Sequence, residues 1–245
     1  MKVIKIKNKY KVILDNITLT TYPEVIINNK LLYKKEIDGH LLKKIQEQTE
    51  YYNIYYKLVS SINKRLKCEN EIIKYLNKTT LNQNDKDKMI NKLKETNYIN
   101  DKRYIQAYIS DKIHLTNEGP HKIMKDLINK NISTKLIEEE ITKLDNSFTI
   151  DKLKNLINKK IKQNKKYSNK LLKQKLLIYF INLGYDQVDI KNILMNTNIN
   201  DHEQLKKEYT KLDKKYNDKN IIKTKLYQKG YSLENIDKIM KKDSN

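Results

Sequence analysis

The sequence has few of the residues that turns and disulfides require. Its 245 residues include 4 glycines, 2 prolines, 1 cysteine and no tryptophan. Because β-sandwiches and α/β enzymes need many positive-φ turns, so little glycine and proline argues against both classes and favours helices. The single Cys68 excludes an internal disulfide and a cysteine-rich metal site, and we expect it to be a small residue at a helix start.

Long apolar runs are also missing. No stretch of about 18 apolar residues occurs, so a membrane-spanning helix is not expected. The first residues, MKVIKIKNKYKVIL, alternate polar with apolar side chains and do not have the apolar centre of a signal peptide. We therefore expect a cytoplasmic protein without a membrane partner.

The residues of common catalytic sites are scattered or missing. His40, His114, His121 and His202 stand far apart, without paired carboxylates. Gly-rich phosphate loops, GxSxG and CxxC motifs do not occur. Glu138–Glu140 are consecutive on a predicted helix and so point in different directions, which favours a solvated surface. The sequence predicts no catalytic residue, metal or cofactor, and no enzymatic activity.

Positive charge is abundant. Lys+Arg number 51 against 30 Asp+Glu, a formal net charge of +21, yet only Arg65 and Arg103 are arginines. Lysine with abundant asparagine and isoleucine is typical of an A+T-rich genome, so part of the excess reflects codon usage. The charge is present whatever its origin, and lysine suits attraction to phosphate better than base-specific contacts.

A repeat with a period of roughly 50 residues runs through the chain. Four apolar-periodic segments end in register at the turn residues Thr80, Asn131, Gly184 and Gly230. Eight and four positions before each turn stand apolar pairs at the spacing of one helix face, namely Ile72 and Leu76, Ile123 and Leu127, Leu176 and Phe180, and Ile222 and Leu226. After each turn comes an apolar residue and then a good N-cap, Asn82, Ser133, Asp186 or Ser232.

The apolar residue before three of these caps has a partner five positions later, as in a hydrophobic staple. These pairs are Ile132 and Ile137, Tyr185 and Ile190, and Tyr231 and Ile236. The first copy has Lys86 instead, so its last helix is expected to begin near Asp85 or Lys86, with Met89, Ile90 and Leu93 inward. Another amphipathic run precedes each aligned helix, so each unit contains three helices.

The predicted fold is therefore mainly α, an elongated array of tandem three-helix repeats at 51–98, 99–146, 147–198 and 199–245. A compact helical bundle with accidental periodicity is the alternative. Residues 1–50 form a small β-rich head, with strands in VIKIKN, YKVILD and ITLTTY and a turn at LDNI. PEVIINNKLL, with Pro23 in its first turn, and GHLLKKIQEQTE are each predicted to be a helix.

The densest basic stretch lies between Asp151 and Lys175, where ten lysines accompany one acid. Tyr167 and Tyr179 are near enough to stack on bases, although Tyr179 fits the core equally well. A solvated lysine face is the alternative to a phosphate-binding one. If about five of these lysines each neutralise a phosphate of single-stranded DNA, the logarithm of affinity falls with that of salt at a slope near −3 to −4.

One stretch, INDKRYIQAYISDKIHLTNEGPHKIMKDLINKNIS, resembles the signature repeat of the RecX family of bacterial recombination regulators. The matching residues are Asp101, Arg103, Tyr104, Ala107, Tyr108, Gly119, Pro120, Ile123, Leu127, Lys130 and Ile132. Lys67, Cys68 and Glu71 resemble the family's first-repeat pattern. Asn131 stands in place of the usual glycine, and His121 with Lys122 in place of a basic pair. The third repeat matches only in apolar register.

The resemblance implies a monomeric cytoplasmic protein without cofactors that binds the RecA recombinase and its filament on single-stranded DNA. It would inhibit ATP hydrolysis, strand exchange and co-protease activity, and so regulate homologous recombination, the SOS response and DNA repair. The candidate DNA or filament contacts are Arg65, Arg103, Lys122, Lys159, Lys160, Lys162, Lys165, Lys166, Lys170 and Lys173. A nonspecific nucleic-acid binder and a helical scaffold for other proteins are the alternatives.

Overall fold

The computed structural model describes residues 1–14, 17–164, 167–197 and 201–242. They form three strands, thirteen α-helices and one short 3-10 helix. The predicted mainly α fold with a small β-rich segment at its start is therefore confirmed. The chain divides into two compact units, Met1–Tyr104 and Ile105–Asn245.

The first unit begins with a sheet and continues with helices. Its elements are β1 (Lys2–Ile6), β2 (Lys9–Ile13), β3 (Thr18–Thr21), α1 (Pro23–Asn28), a 3-10 turn (Leu31–Tyr33), α2 (Gly39–Lys64), α3 (Glu69–Leu76) and α4 (Gln83–Glu95). The boundary with the second unit falls within α5 (Asp101–Leu115). The second unit is helical throughout its described part.

The helices of the second unit follow one another through short connections. After α5 they are α6 (Pro120–Ile128), α7 (Thr134–Ile141), α8 (Asn146–Lys162), α9 (Asn169–Asn182), α10 (Gln187–Met195), α11 (His202–Asp213), α12 (Lys219–Gln228) and α13 (Leu233–Lys242). The predicted repeat boundaries and the elongated arrangement stay predictions.

The three predicted strands are confirmed and form an antiparallel sheet in the order β1-β2-β3. Lys2 pairs with Ile13, and Tyr10 with Thr21. One face of the sheet packs on α1 and α2 through a core of Val12, Tyr22, Val25, Ile26, Leu31 and Ile45. The predicted LDNI turn includes Asp15 and Asn16, which lie outside the described residues.

Helix α2 is a single helix where the sequence predicted two. It runs for 26 residues through residue 50, so the separate helices expected in GHLLKKIQEQTE and after it were wrong. After Gly39 no glycine or proline interrupts the segment. Its buried residues serve two cores, because Ile45 packs with the sheet while Leu58 and Ile62 pack with α3 and α4. The Asp38 side chain caps its start by accepting a hydrogen bond from the Leu41 N–H at 2.7 Å.

The aligned apolar register is confirmed. All four i, i+4 pairs of the repeat are buried, and so are the three staple pairs. The backbone is left-handed at Asn131 (φ 58°), Gly184 (φ 86°) and Gly230 (φ 85°), as expected for residues that end a helix. Thr80 does not adopt this conformation, because a β-branched residue is costly at positive φ.

Helix α4 begins earlier than we predicted from the absence of an apolar staple partner at Lys86. It starts at Gln83, directly after Asn82, whose side-chain oxygen accepts from the Asp85 N–H at 2.9 Å. The expected start near Asp85 or Lys86 was therefore wrong, because the asparagine cap alone satisfies the first turn. Met89 and Leu93 are fully buried, as predicted.

Within the second unit, consecutive predicted repeats are joined by the same backbone contact. The Gly119 N–H at the start of α6 donates to the Leu183 carbonyl at the end of α9, at 2.7 Å. The Ser168 N–H at the start of α9 donates to the Lys229 carbonyl at the end of α12, at 3.2 Å. Each middle helix thus begins against the end of the next middle helix, which supports a tandem arrangement within this unit.

At two helix starts an aspartate side chain accepts a hydrogen bond from the first N–H group of the helix. The Asp101 carboxylate accepts from the Glu69 N–H at 2.9 Å in the first unit, and the Asp201 carboxylate accepts from the Asn169 N–H at 2.7 Å in the second. Both donors are the first residues of helices, whose N–H groups have no intrahelical partner. At the corresponding place in α6 stands Pro120, which has no N–H to satisfy.

Several of the 18 tyrosines belong to the core. Tyr55, Tyr185, Tyr209 and Tyr231 are buried, and burial raises the pKa of Tyr185 and Tyr231 to about 12. In the first unit the rings of Tyr22 and Tyr56 stack with centroids 4.8 Å apart. These rings fill space between elements, so tyrosine abundance by itself does not indicate base stacking.

Candidate nucleic-acid interface

The basic stretch of the second unit lies on α8, on α9 and on their connection. Lys159, Lys160 and Lys162 are exposed in the last turn of α8. Lysine is favourable there because the carboxyl end of a helix carries partial negative charge, so position alone does not prove a ligand. Lys165 and Lys166, also predicted contacts, lie outside the described residues.

Two of these lysines stand beside an exposed aromatic ring. Lys159 and Lys160 line a cavity of about 250 Å³ with Tyr179 of α9. The Lys160 Nζ lies 4.8 Å from the centroid of the Tyr179 ring, which is 40% exposed and packs edge-on against Phe180. Tyr179 is thus both anchored in the core and open to solvent, an arrangement suited to stacking a base while the lysines contact phosphate.

The lysines at the start of α9 add to this positive surface. Lys170 is exposed and Lys173 half-buried, and the first turn of α9 contains no acidic residue. Lysine near a helix amino terminus is unfavourable by about 0.3–1 kcal/mol, because the helix dipole is positive there. Further along, the Lys175 Nζ lies 4.8 Å from the Tyr167 ring centroid. An anion bound at the start of α9 would offset the unfavourable interaction of Lys170 and Lys173 with the helix dipole.

Lys152, the first lysine of the stretch, has a structural role. Its ammonium donates to the Ile113 carbonyl and, at 2.7 Å, to the Thr116 carbonyl, and so caps the end of α5. Burial lowers the pKa of Lys152. Because its donors are directed at these carbonyls, Lys152 is not part of the solvent-facing positive surface.

Replacing Lys152 with methionine is expected to lower the free energy of unfolding by about 1–2 kcal/mol, since the carbonyls of Ile113 and Thr116 at the end of α5 lose their partner. Urea denaturation followed by circular dichroism measures this. Lys154→Met is the matched control, because Lys154 is exposed on the same helix and its change should be within about 0.5 kcal/mol. Equal effects of the two substitutions would contradict the capping role.

Lys122, a predicted contact on α6, is engaged by an acid. Its Nζ lies 2.8 Å from Glu118 Oε1, and the Lys112 Nζ lies 2.7 Å from Glu118 Oε2. Hydrogen bonds from these two lysines lower the pKa of the Glu118 carboxyl. Lys122 is 39% exposed, and its charge is partly neutralised, so it is a weaker candidate for phosphate than the α8 lysines.

Arg65 and Arg103 belong to the first unit, where the structure brings them together. Both line one cavity of about 590 Å³. The Arg65 Nη2 lies 3.0 Å from Glu71 Oε1, and the Arg65 side chain is 64% exposed. Within the described residues Arg103 forms no ion pair.

Helix α11 carries a basic face that the sequence reasoning missed. Lys206, Lys207, Lys211 and, directly after the helix, Lys214 lie along one surface groove, whose lining also includes Glu203. None of the four forms an ion pair in the part of the chain that the structure describes. The signal was the i, i+4 spacing of Lys207 and Lys211, which a search for locally dense charge does not detect.

The prediction of a solvated surface at Glu138–Glu140 was wrong for its last residue. The Glu140 side chain is 3% exposed, accepts from Gln106 Nε2 at 2.7 Å and lies 2.5 Å from the Lys143 Nζ. Ile137 and Ile141 flank it on the inward side of α7, so the third glutamate is drawn inward and satisfied by polar partners.

Metal-binding clusters and membrane-spanning helices are both absent from residues 1–14, 17–164, 167–197 and 201–242. In these ranges no three or more His, Cys, Asp or Glu side chains are grouped so as to hold a metal ion. Over the same ranges no helix combines the length and apolar character that crossing a bilayer requires.

Comparison with known proteins finds relatives that share the same name. No family model matches the chain. It is 30% identical to "Regulatory protein RecX" of Streptococcus agalactiae over 261 residues, which cover 96% of this chain and 97% of the relative. A protein of the same name from Geobacillus sp. is 24% identical, with 93% and 88% covered.

Two solved structures have a similar fold. A crystal structure of regulatory protein RecX matches with a TM-score of 0.68 at 20% identity, covering 78% of this chain and 96% of the other. The crystal structure of RecX from Lactobacillus salivarius matches with a TM-score of 0.56 at 20% identity, covering 60% and 95%. At this identity the likeness concerns the fold.

Proposed function

Because this chain belongs to the RecX family of regulatory proteins, we propose that it binds the RecA recombinase on its single-stranded DNA filament and inhibits it. The inhibited activities are ATP hydrolysis, strand exchange and co-protease action, so the protein regulates homologous recombination, the SOS response and DNA repair. It acts as a cytoplasmic monomer and needs no cofactor. The observation that carries the proposal is the likeness to the Streptococcus agalactiae relative over nearly the whole of both chains.

The DNA part of the proposal has physical support of its own. Lys159 and Lys160 are exposed beside the half-exposed ring of Tyr179, and four further lysines lie on one groove in and directly after α11. A net charge of +21 attracts polyanions from a distance. Lysines contribute affinity that does not depend on sequence, so filament specificity must come from contacts with the recombinase itself.

An ATPase titration tests the proposal. The protein is added to RecA hydrolysing ATP on single-stranded DNA, with enough DNA that low additions cannot coat it. We expect inhibition well below one copy per recombinase protomer, because a filament-bound regulator affects many protomers. Bovine serum albumin at equal concentration is the control for nonspecific inhibition.

The same titration separates the proposal from its main alternative. A nonspecific nucleic-acid binder, which the unpaired α11 lysines would also suit, inhibits only when it competes for DNA. Its inhibitory concentration would rise in proportion to added DNA, and binding to DNA would be unaffected by RecA. Inhibition of that kind would contradict the proposed function. A scaffold for other proteins would bind DNA negligibly at physiological salt.

A further inference from the structure

The two arginines of the chain lie in one cavity although they are far apart in sequence. Every other basic residue among the 51 is lysine. The cavity, of about 590 Å³, is lined by Ile62, Asn63, Lys64, Arg65, Leu66, Thr96, Asn97, Tyr98 and Arg103. Arginine differs from lysine in its planar fork of five donors, which binds phosphate or carboxylate bidentately. Codon bias alone does not place both forks in one cavity.

Three helix ends fix the backbone positions of the two arginines at this cavity. Arg65 is the residue that ends α2, with extended backbone and its N–H donating to the Ser61 carbonyl. Arg103 lies in the first turn of α5, and its N–H donates to Asn100 Oδ1 at 3.0 Å. Asn100 in turn donates to Asn97 Oδ1 at 3.0 Å, just after α4. Their backbone positions are therefore fixed.

The cavity is positively charged. Lys64, Arg65 and Arg103 are all exposed, and the described lining contains no acidic side chain. Glu71 binds one nitrogen of Arg65, and within the described residues the other guanidinium N–H groups of Arg65 have no partner. Three cations at one cavity repel one another, and a bound anion would lower that repulsion.

We infer that this cavity binds a phosphate group of single-stranded nucleic acid through the guanidinium groups of Arg65 and Arg103. The inference rests on the proposed function, in which single-stranded DNA is a partner. The lining suits phosphate, because the planar forks of the two arginines match phosphate oxygens bidentately and Asn63, Thr96 and Asn97 provide further polar groups beside the cations. The volume exceeds that of a single phosphate and leaves room for the attached sugar or base.

Arginine-to-lysine variants test the inference, because they keep the charge and remove the fork. Binding of a fluorescein-labelled oligothymidylate is measured by anisotropy for Arg65→Lys, Arg103→Lys and the double variant. We expect roughly tenfold weaker binding in the double variant, since bidentate charge-assisted hydrogen bonds are lost. The salt slope should stay nearly the same, because lysine still neutralises phosphate. Lys34→Arg, at an exposed position of the first unit that does not line the cavity, is the control and should bind as the wild type does.

A double-mutant cycle tests whether both arginines bind the same phosphate. If both arginines hold one phosphate, the second substitution costs less after the first, so the effects are not additive. Unchanged oligonucleotide binding in the double variant would overturn the inference. So would weaker binding of fluorescein-labelled poly-glutamate with unchanged oligonucleotide binding, which would indicate an acidic protein partner. The assay contains no recombinase, so its outcome is separate from that of the ATPase titration.

Discussion

Replacing Gly184 with alanine is expected to lower the free energy of unfolding by about 3 kcal/mol, one of the largest effects of any single substitution in this protein. Gly184 has φ 86°, a conformation that alanine adopts only with strain. A Cβ built there would lie 2.3 Å from the Lys122 backbone nitrogen. Because the obstacle is backbone, α6 would have to move away from the end of α9.

Thermal unfolding followed by circular dichroism measures this effect, and we expect Tm to fall by roughly 6–12 °C. Gly39→Ala is the control, since nothing lies within 4 Å of its Cβ and it begins a helix. Gly230→Ala should give an intermediate loss. Its φ is 85°, but its Cβ would meet side-chain atoms, the Ser168 Oγ at 2.6 Å and the Leu171 Cβ at 2.9 Å, where that of Gly184 meets backbone. A loss at Gly184 no larger than at Gly39 would disprove the close approach.

Reversing the charge of Lys159 and Lys160 to glutamate is expected to weaken binding to single-stranded DNA by about tenfold or more. If each lysine neutralises one phosphate, the logarithmic salt slope becomes shallower by about 1.4. The cavity that these lysines share with Tyr179 also becomes acidic, so base stacking there is opposed by repulsion of the phosphates. Fluorescence anisotropy at several salt concentrations measures both quantities.

Lys34→Glu with Lys35→Glu is the matched control for that variant. These lysines are adjacent and exposed in the first unit, and they change the net charge equally. If both double variants weaken binding to the same extent, only total charge matters and α8 is not the interface. In the ATPase titration, the α8 variant should require a higher concentration for half-inhibition than the control variant.

The sequence by itself determined the local structure of most of the chain. Apolar periodicity located the helices, and caps such as Ser133 and Asp186 located their starts. Gly184 and Gly230 were identified as positive-φ helix ends. These features depend on residues within one or two turns of one another, where the propensities and hydrogen bonds of neighbouring residues decide the backbone. The errors at α2 and α4 concerned where a helix begins or continues. That choice depends on several neighbouring residues at once, such as a cap and the apolar residues around it.

Which side chains meet was decided only by the tertiary structure. Lys152 reaches the end of α5, Glu140 is buried against Gln106, and Arg65 shares a cavity with Arg103. Each of these depends on segments distant in sequence, whose spacing is set by packing of whole helices. The density of lysines along the sequence therefore indicated which segments are basic, and it did not indicate the role of each lysine. Only packing separated a lysine that caps a helix from those left facing solvent, because burial and partner distance are properties of the folded chain.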